Sequence, residues 1–345
     1  MTGISRPKVG RFRYALLGHL LRLLGSSVAG SLLRFGSTRP LPPVSDLVRF
    51  LEALGPVNLS TAKGSKEKLL TRFPALSNVN VSNYRIMGPN LNIPVRMYQH
   101  PEKPAKEALV WVHGGAFLMG DLDMPESHWV GLMLAALGIP VVALDYVKAL
   151  HGKDFRLVNR DVLTGWQWAL ERLQKIGISN QDVHFGGASA GANLVACVSK
   201  QLRDDEELLP ASLLLMYPAL HGAFPGVPTG LLKRVRTKAR ALCFEPDWLV
   251  DLGLHYAGYK AAESEPYAFA ANGYVGGLPP TLIANCECDT LRVSGEAFAC
   301  QLRDAGVAVQ LHEVANTVHG SLNTPDRVEA VHMLLLMLDW IRGKR

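Results

Sequence analysis

From residue 108 onward, short, mainly apolar runs alternate with longer stretches in which apolar residues recur every three to four positions. Ala108–Val112 is continuously apolar, as a strand buried on both faces should be, and Val141–Asp145, Leu213–Tyr217 and Thr281–Cys286 read as further strands. Trp129, Leu132, Met133, Ala136 and Leu137 keep helical spacing up to Gly138. Val162, Leu163, Trp166, Leu170, Leu173 and Ile176 do so up to Gly177, each glycine reading as a C-terminal cap. Phe298 and Leu302 mark another helix ended by Gly306. Val307–Leu311 reads as the last strand, and Thr324-Pro325 as the start of a final helix carrying Val328, Val331, Leu334, Leu335 and Leu338. Upstream, Val79–Ile86 and Val95–Tyr98 flank Gly88-Pro89-Asn90, which predicts an antiparallel pair around a turn. Such alternation predicts a mostly parallel sheet with helices on both faces.

Two segments do not follow the alternation, the N-terminal region and roughly His221 to Leu278. A long insertion at the C-terminal end of a strand lands beside the site that such sheets carry. Both are therefore read as one cap, dividing the chain into an N-terminal cap segment (1–75), a core first part (76–220), a cap insertion (221–278) and a core second part (279–345).

The 345 residues are 48% hydrophobic and 19% charged, enough for a substantial globular core. The net charge of +6 is concentrated in Arg6–Arg39 and in Lys233–Arg240, where a solvated basic face is the expected reading, since no nucleic-acid motif accompanies it. Five cysteines, an odd number without a CxxC pair, predict reduced and mostly buried thiols in a cytoplasmic protein. Tyr14–Leu33 is apolar but is interrupted by His19 and Arg22. With Leu16, Leu17, Leu20, Leu23 and Leu24 at helical spacing, it reads as an amphipathic covering helix, the alternative being a membrane-surface helix.

Gly187-Ala188-Ser189-Ala190-Gly191 reads G-x-S-x-G. It follows the β-type run Asp182–Phe185 and precedes the helix-compatible Leu194–Val198, the strand–turn–helix setting of a nucleophile elbow. A serine hydroxyl needs a base, an acid to orient that base, and donors for the oxyanion. Asp289, at the end of the strand from Thr281, is the favoured acid; Asp304 sits late in a helix, Glu313 in or after a strand, and Glu287 on another face by alternation. His319, after the last strand and after the acid, is the favoured base over His312 in that strand, His332 in the last helix, and His221 and His255 in the insertion. His113-Gly114-Gly115-Ala116-Phe117 follows a core strand and is expected to give one or two backbone amides to an oxyanion, with Ala190 giving another.

Together with Tyr217-Pro218, Asp289-Thr290-Leu291-Arg292, Gly295-Glu296-Ala297 and His319-Gly320, these stretches resemble the hormone-sensitive-lipase-like (bacterial group IV) carboxylesterases over roughly residues 80–340. The resemblance implies an α/β-hydrolase fold: a mostly parallel eight-stranded sheet flanked by helices, with a helical cap. It implies Ser189, Asp289 and His319 as the triad, Gly114, Gly115 and Ala190 as oxyanion donors, and no metal or organic cofactor. Three positions depart from the family pattern. Ala188 stands where an acidic residue is usual, Asp145-Tyr146-Val147-Lys148-Ala149-Leu150-His151 replaces Asp-Tyr-Arg-Leu-Ala-Pro-Glu, and Ser321 replaces an aromatic residue.

The expected activity is hydrolysis of short- to medium-chain carboxylic esters through an acyl-enzyme. An acyltransferase or amide hydrolase on the same triad is the alternative. A non-catalytic small-molecule binding protein is the alternative of another class, and the presence of all three triad residues counts against it. The expected partner is a small-molecule ester; neither nucleic acid nor membrane contact is expected, and a homodimer is left open.

Overall fold

The computed structural model describes residues 41–54, 70–88, 91–257 and 264–343. The apolar stretch Tyr14–Leu33, and Pro89-Asn90 of the expected turn, lie outside them. Eight strands form one sheet: β1 (Asn80–Gly88), β2 (Leu91–Gln99), β3 (Ala108–Val112), β4 (Val141–Leu144), β5 (Val183–Ala188), β6 (Leu213–Met216), β7 (Thr281–Cys288) and β8 (Val309–Val318). Their spatial order is β1-β2-β4-β3-β5-β6-β7-β8. β2 pairs antiparallel with β1 and β4, and all other pairings are parallel.

The helices that cover the sheet are α2 (Pro125–Ala136), α3 (Phe155–Gln174), α4 (Ala190–Asp204), α7 (Arg292–Asp304) and α8 (Val328–Ile341). α1 (Val44–Leu54), α5 (Thr229–Lys238) and α6 (Pro246–Ala257) lie in the two segments that break the alternation. Side chains of a strand alternate between faces, so each central strand feeds two cores. Val110, Val112, Val142, Leu144, Leu213 and Leu215 pack with Val162 and Trp166 of α3, Leu194 and Val198 of α4 and Phe298 of α7. Leu109, Trp111, Val141, Ala143, Leu214 and Met216 pack with Trp129 and Leu134 of α2 and Met333, Leu334 and Met337 of α8. Each such fully buried aliphatic side chain contributes about 1.5–3 kcal/mol, which is why these runs carry no polar interruption. The edge strands β1 and β8 are partly exposed and correspondingly more polar.

Several boundaries differ from the sequence reading, two of them beside His319. β8 is not confined to Val307–Leu311 but runs from Val309 to Val318, because an edge strand tolerates polar residues on its open face. The last helix begins at Val328 rather than at Thr324-Pro325. The intervening residues form a 3-10 turn, Ser321–Asn323, followed by a second turn closed by Arg327 N–H to the Thr324 carbonyl.

The two outlying segments meet. Trp248 of α6 donates its indole N–H to the Pro42 carbonyl (2.9 Å), and Val44, Leu47 and Leu51 of α1 share a core with Leu249 and Leu252 of α6. Tyr256 of α6 stacks on Phe117 with centroids 3.7 Å apart, placing α6 directly over the loop after β3. Four cysteines are buried, Cys300 is exposed, and all five are unpaired. No helix among the described residues is long and apolar enough to cross a membrane.

Candidate active site

Ser189 occupies the single residue between β5 and α4, at φ 53° and ψ −118°. A side chain rarely adopts this geometry, and two backbone contacts hold it there. A Cβ on Gly187 would stand 2.5 Å from the Gly191 carbonyl group, and a Cβ on Gly191 would stand 2.2 Å from the Val112 carbonyl oxygen. Only glycine fits either position. The Ser189 N–H donates to the Met216 carbonyl (2.9 Å), tying the elbow to the end of β6.

The other two expected residues reach Ser189 from the ends of neighbouring strands. Asp289 follows β7, is fully buried, and accepts Leu291 N–H on Oδ1 (2.9 Å). His319 follows β8, its turn completed by Gly320 at φ 73°. Its Nδ1 lies 2.7 Å from Asp289 Oδ2 and its Nε2 lies 2.9 Å from Ser189 Oγ. A carboxylate only accepts, so Nδ1 carries the proton and Nε2 is free to accept the Ser189 hydroxyl. The other carboxylates and histidines weighed from the sequence are not in this chain of bonds. His221, for one, bonds Ser294, and His255 reaches the Ala149 carbonyl.

In the loop after β3, one of the expected oxyanion donors already has a partner. Gly114 N–H is already engaged, donating to Glu126 Oε1 at 2.6 Å. That bond leaves the Gly114 N–H committed to a buried carboxylate in this structure. Among the described residues, the N–H groups of Gly115, Ala116 and Ala190 have no acceptor. Ala190 also opens α4, whose N-terminal end carries a partial positive charge. Gly115 (φ 120°), Ala116 (φ 54°) and Phe117 (φ 63°) are all left-handed, so the loop is a strained strap. Leu118 and Met119 N–H close it onto the Gly115 carbonyl, and the Tyr146 hydroxyl lies 3.1 and 3.2 Å from the His113 and Gly114 carbonyls.

The departure at Val147-Lys148 has a visible consequence beneath this strap. The Lys148 ammonium bonds Asp145 and the Tyr146 carbonyl, and Asp145 receives His113 Nε2 at 3.0 Å. Burial disfavours the charged form of Asp145. Nevertheless Lys148 and the bond from His113 hold its carboxyl well below the usual carboxylate range. Ser321 is buried, with Oγ 3.5 Å from Cys286 Sγ and 3.6 Å from Met333 Sδ.

Three side chains at the site were not among the expected site residues. Tyr217 and Phe244 both meet the His319 ring edge-on, with centroids 5.1 and 4.8 Å away. Phe244 lies in an insertion without periodicity, so nothing in the pattern could have placed it. Glu126 reads only as an acidic residue in the first turn of a helix opened by Pro125, a common surface position. Cys243 and Glu245, on either side of Phe244, line a basic cleft of about 360 Å³ together with Lys233, Arg236, Thr237 and Arg240. That cleft backs onto the Phe244 segment and has neither Ser189 nor His319 in its wall.

A family model described as the alpha/beta hydrolase fold matches residues 109–323. The chain belongs to the α/β-hydrolase family. Within it, the chain falls among the hormone-sensitive-lipase-like carboxylesterases. It is 29% identical over 256 residues to the ethyl acetate hydrolase of Pseudomonas putida, covering 71% of this chain and 76% of that one. It is 31% identical over 253 residues to the carboxylic ester hydrolase LipN of Mycobacterium tuberculosis, covering 71% and 65%. The solved hyperthermophilic esterase of the archaeon Pyrobaculum calidifontis superposes with a TM-score of 0.71 over 92% of this α/β-hydrolase and 97% of that chain; at 24% identity the likeness speaks for the fold.

Proposed function

We propose that this protein is a serine carboxylesterase acting on short- to medium-chain esters through an acyl-enzyme on Ser189. The observation that carries the reading is the unbroken chain from Ser189 Oγ through His319 to Asp289, at 2.9 and 2.7 Å. In the forward step His319 Nε2 takes the hydroxyl proton as Oγ attacks the ester carbonyl carbon, and Asp289 stabilises the imidazolium that forms. The carbonyl oxygen becomes an oxyanion, for which Gly115, Ala116 and Ala190 supply the N–H donors that have no acceptor among the described residues. His319 then returns the proton to the leaving alcohol as the C–O bond breaks, leaving the acyl group on Ser189. A water molecule that gives its proton to Nε2 attacks the acyl-enzyme and frees the acid.

Chain length is read from two supports. The relative named for ethyl acetate acts on an ester with a two-carbon acyl group. In addition, α1 and the 221–278 segment form a cap whose Phe244 and Tyr256 stand at His319 and at the strap, narrowing the space for a long acyl chain. On this reading 1–75 and 221–278 are the cap and the remainder is the hydrolase core.

The test is hydrolysis of p-nitrophenyl esters from acetate to palmitate, with and without a serine-directed phosphonate whose adduct is located by mass spectrometry. Turnover that is highest for short chains, with the adduct on Ser189, is the expected result. A Ser189→Ala protein that hydrolyses the esters as well as wild type overturns the proposal.

A further inference from the structure

Glu126 is 2% exposed and sits in the first turn of α2. Its partners are all neutral, and no ion pair compensates it among the described residues. Oε1 accepts Gly114 N–H at 2.6 Å; Oε2 accepts the Tyr217 hydroxyl at 2.8 Å and Asn323 Nδ2 at 2.9 Å. Its backbone is pinned as well: Glu126 N–H donates to Asn323 Oδ1 (3.2 Å), and its carbonyl accepts the Trp111 indole N–H (2.8 Å). Burying an uncompensated carboxylate is costly, and a buried position beside Trp111 could be filled by an apolar side chain at less expense. The three groups it holds are therefore the informative part.

Each belongs to a different piece of the site. Gly114 opens the strained strap; a Cβ on it would stand 3.1 Å from Ser189 Cβ and 2.7 Å from Glu126 Oε1, so strap, nucleophile and carboxylate are packed at contact. Tyr217, itself at φ 37°, packs its ring against His319. Burial, and then the Glu126 charge, raise its phenol well above the ordinary range, so it remains a donor. Asn323 ends the 3-10 turn after His319 and donates its own N–H to the Gly320 carbonyl (2.8 Å). Left-handed backbone at Ala116, Phe117 and Tyr217 persists only where its surroundings over-determine it. The Tyr146 hydroxyl grips the strap through the Gly114 carbonyl, and Glu126 grips it through the Gly114 N–H.

We propose that Glu126 is a positioning residue that locks the oxyanion strap, the Tyr217 ring and the turn after His319 into one register, so that the Gly115 and Ala116 donors stay aimed relative to Ser189 and His319. It touches no reacting atom. The proposal rests on the esterase reading above. An acceptor with two oxygens is required because three donors converge on it. A glutamine in its place keeps one acceptor oxygen but turns a donor toward Asn323 and Tyr217. Misaimed oxyanion donors lose transition-state stabilisation while leaving ground-state ester binding in place, so the effect belongs in kcat.

The experiment compares the full-length wild type with Glu126→Gln and Tyr217→Phe, with active enzyme counted by complete phosphonate titration of Ser189. For Glu126→Gln, kcat per titrated serine is expected to fall about 10- to 100-fold with KM within about twofold, and the phosphonate inactivation rate to fall in parallel. Tyr217→Phe removes one donor and keeps the ring on His319, so a loss of about three- to tenfold in kcat is expected. A Glu126→Gln protein that melts earlier but keeps kcat per titrated serine within about twofold overturns the proposal and leaves Glu126 a packing residue. If that variant does not fold, Tyr217→Phe decides, and an unchanged kcat overturns it. A wild type that takes up the phosphonate but turns over no ester overturns the esterase reading and this inference with it.

Discussion

Phe244, from the segment joining β6 to β7, meets the imidazole of His319 in a T-shaped contact with centroids 4.8 Å apart and planes at 80°. Phe244 also packs on Trp248 at 5.4 Å, and Trp248 in turn bonds Pro42. A continuous line of contacts therefore joins the N-terminal segment to the imidazole. Truncating Phe244 leaves His319 free to leave its rotamer and opens the site to water. Phe244→Ala is expected to lower kcat/KM for p-nitrophenyl butyrate by about tenfold. The variant's steady-state kinetics check this, and an unchanged kcat/KM would show that the ring only fills space.

Asp289 accepts from His319 Nδ1 and so selects the tautomer in which Nε2 can take a proton. An asparagine there can present its N–H₂ to Nδ1 and favour the opposite tautomer. Asp289→Asn is expected to lower kcat by about 10³- to 10⁴-fold without unfolding the protein. Near-ultraviolet circular dichroism and kcat, measured on the same preparation, separate loss of chemistry from loss of fold.

Gly191 stands against the Val112 carbonyl, where a methyl group would come within 2.2 Å. Neither backbone can yield, since Val112 lies in the central strand β3 and Gly191 in α4. Gly191→Ala is expected to destabilise the protein by about 2–4 kcal/mol, read as a lowered urea midpoint. A midpoint within error of wild type would mean that the elbow has slack this geometry does not show.

His221 lies next to α7, where Leu220 N–H donates to Ser294 Oγ (2.9 Å) and Ser294 Oγ is 2.8 Å from His221 Nδ1. The hydroxyl proton is thus directed at a neutral imidazole. Burial lowers the His221 pKa from 6.5 to about 4. Between those values the unfolded chain binds a proton that the native state does not, so stability is complete above pH 6.5 and is lost as the pH falls toward 4. The loss amounts to about 3 kcal/mol at most. Thermal melts of wild type and His221→Gln from pH 7 to 4 should show a shallower decline in the variant. Parallel curves would assign the acid sensitivity to other groups.

The strand and helix order, the elbow around Ser189 and the positions of Asp289 and His319 are legible in the sequence because each is a local demand. Strands buried on both faces must be unbroken apolar runs, and the elbow must carry glycine where Gly187 and Gly191 touch backbone. Acid and base must follow the nucleophile at the ends of later strands. The extent of β8 and the start of α8 escaped the pattern, since an edge strand and a turn lack the burial that periodicity reports. Which strap amides are free was also undecided by pattern. The Gly114 N–H is held by Glu126, and that carboxylate is in turn fixed by Tyr217, 91 positions away, and Asn323, 197 positions away. Periodicity along a chain encodes which face of an element is buried; the partner of a single buried polar group is set by residues that only the folded chain brings within 3 Å. The sequence by itself thus determined the scaffold and the strand ends at which Ser189, Asp289 and His319 stand, and the tertiary structure decided how the donors around them are held.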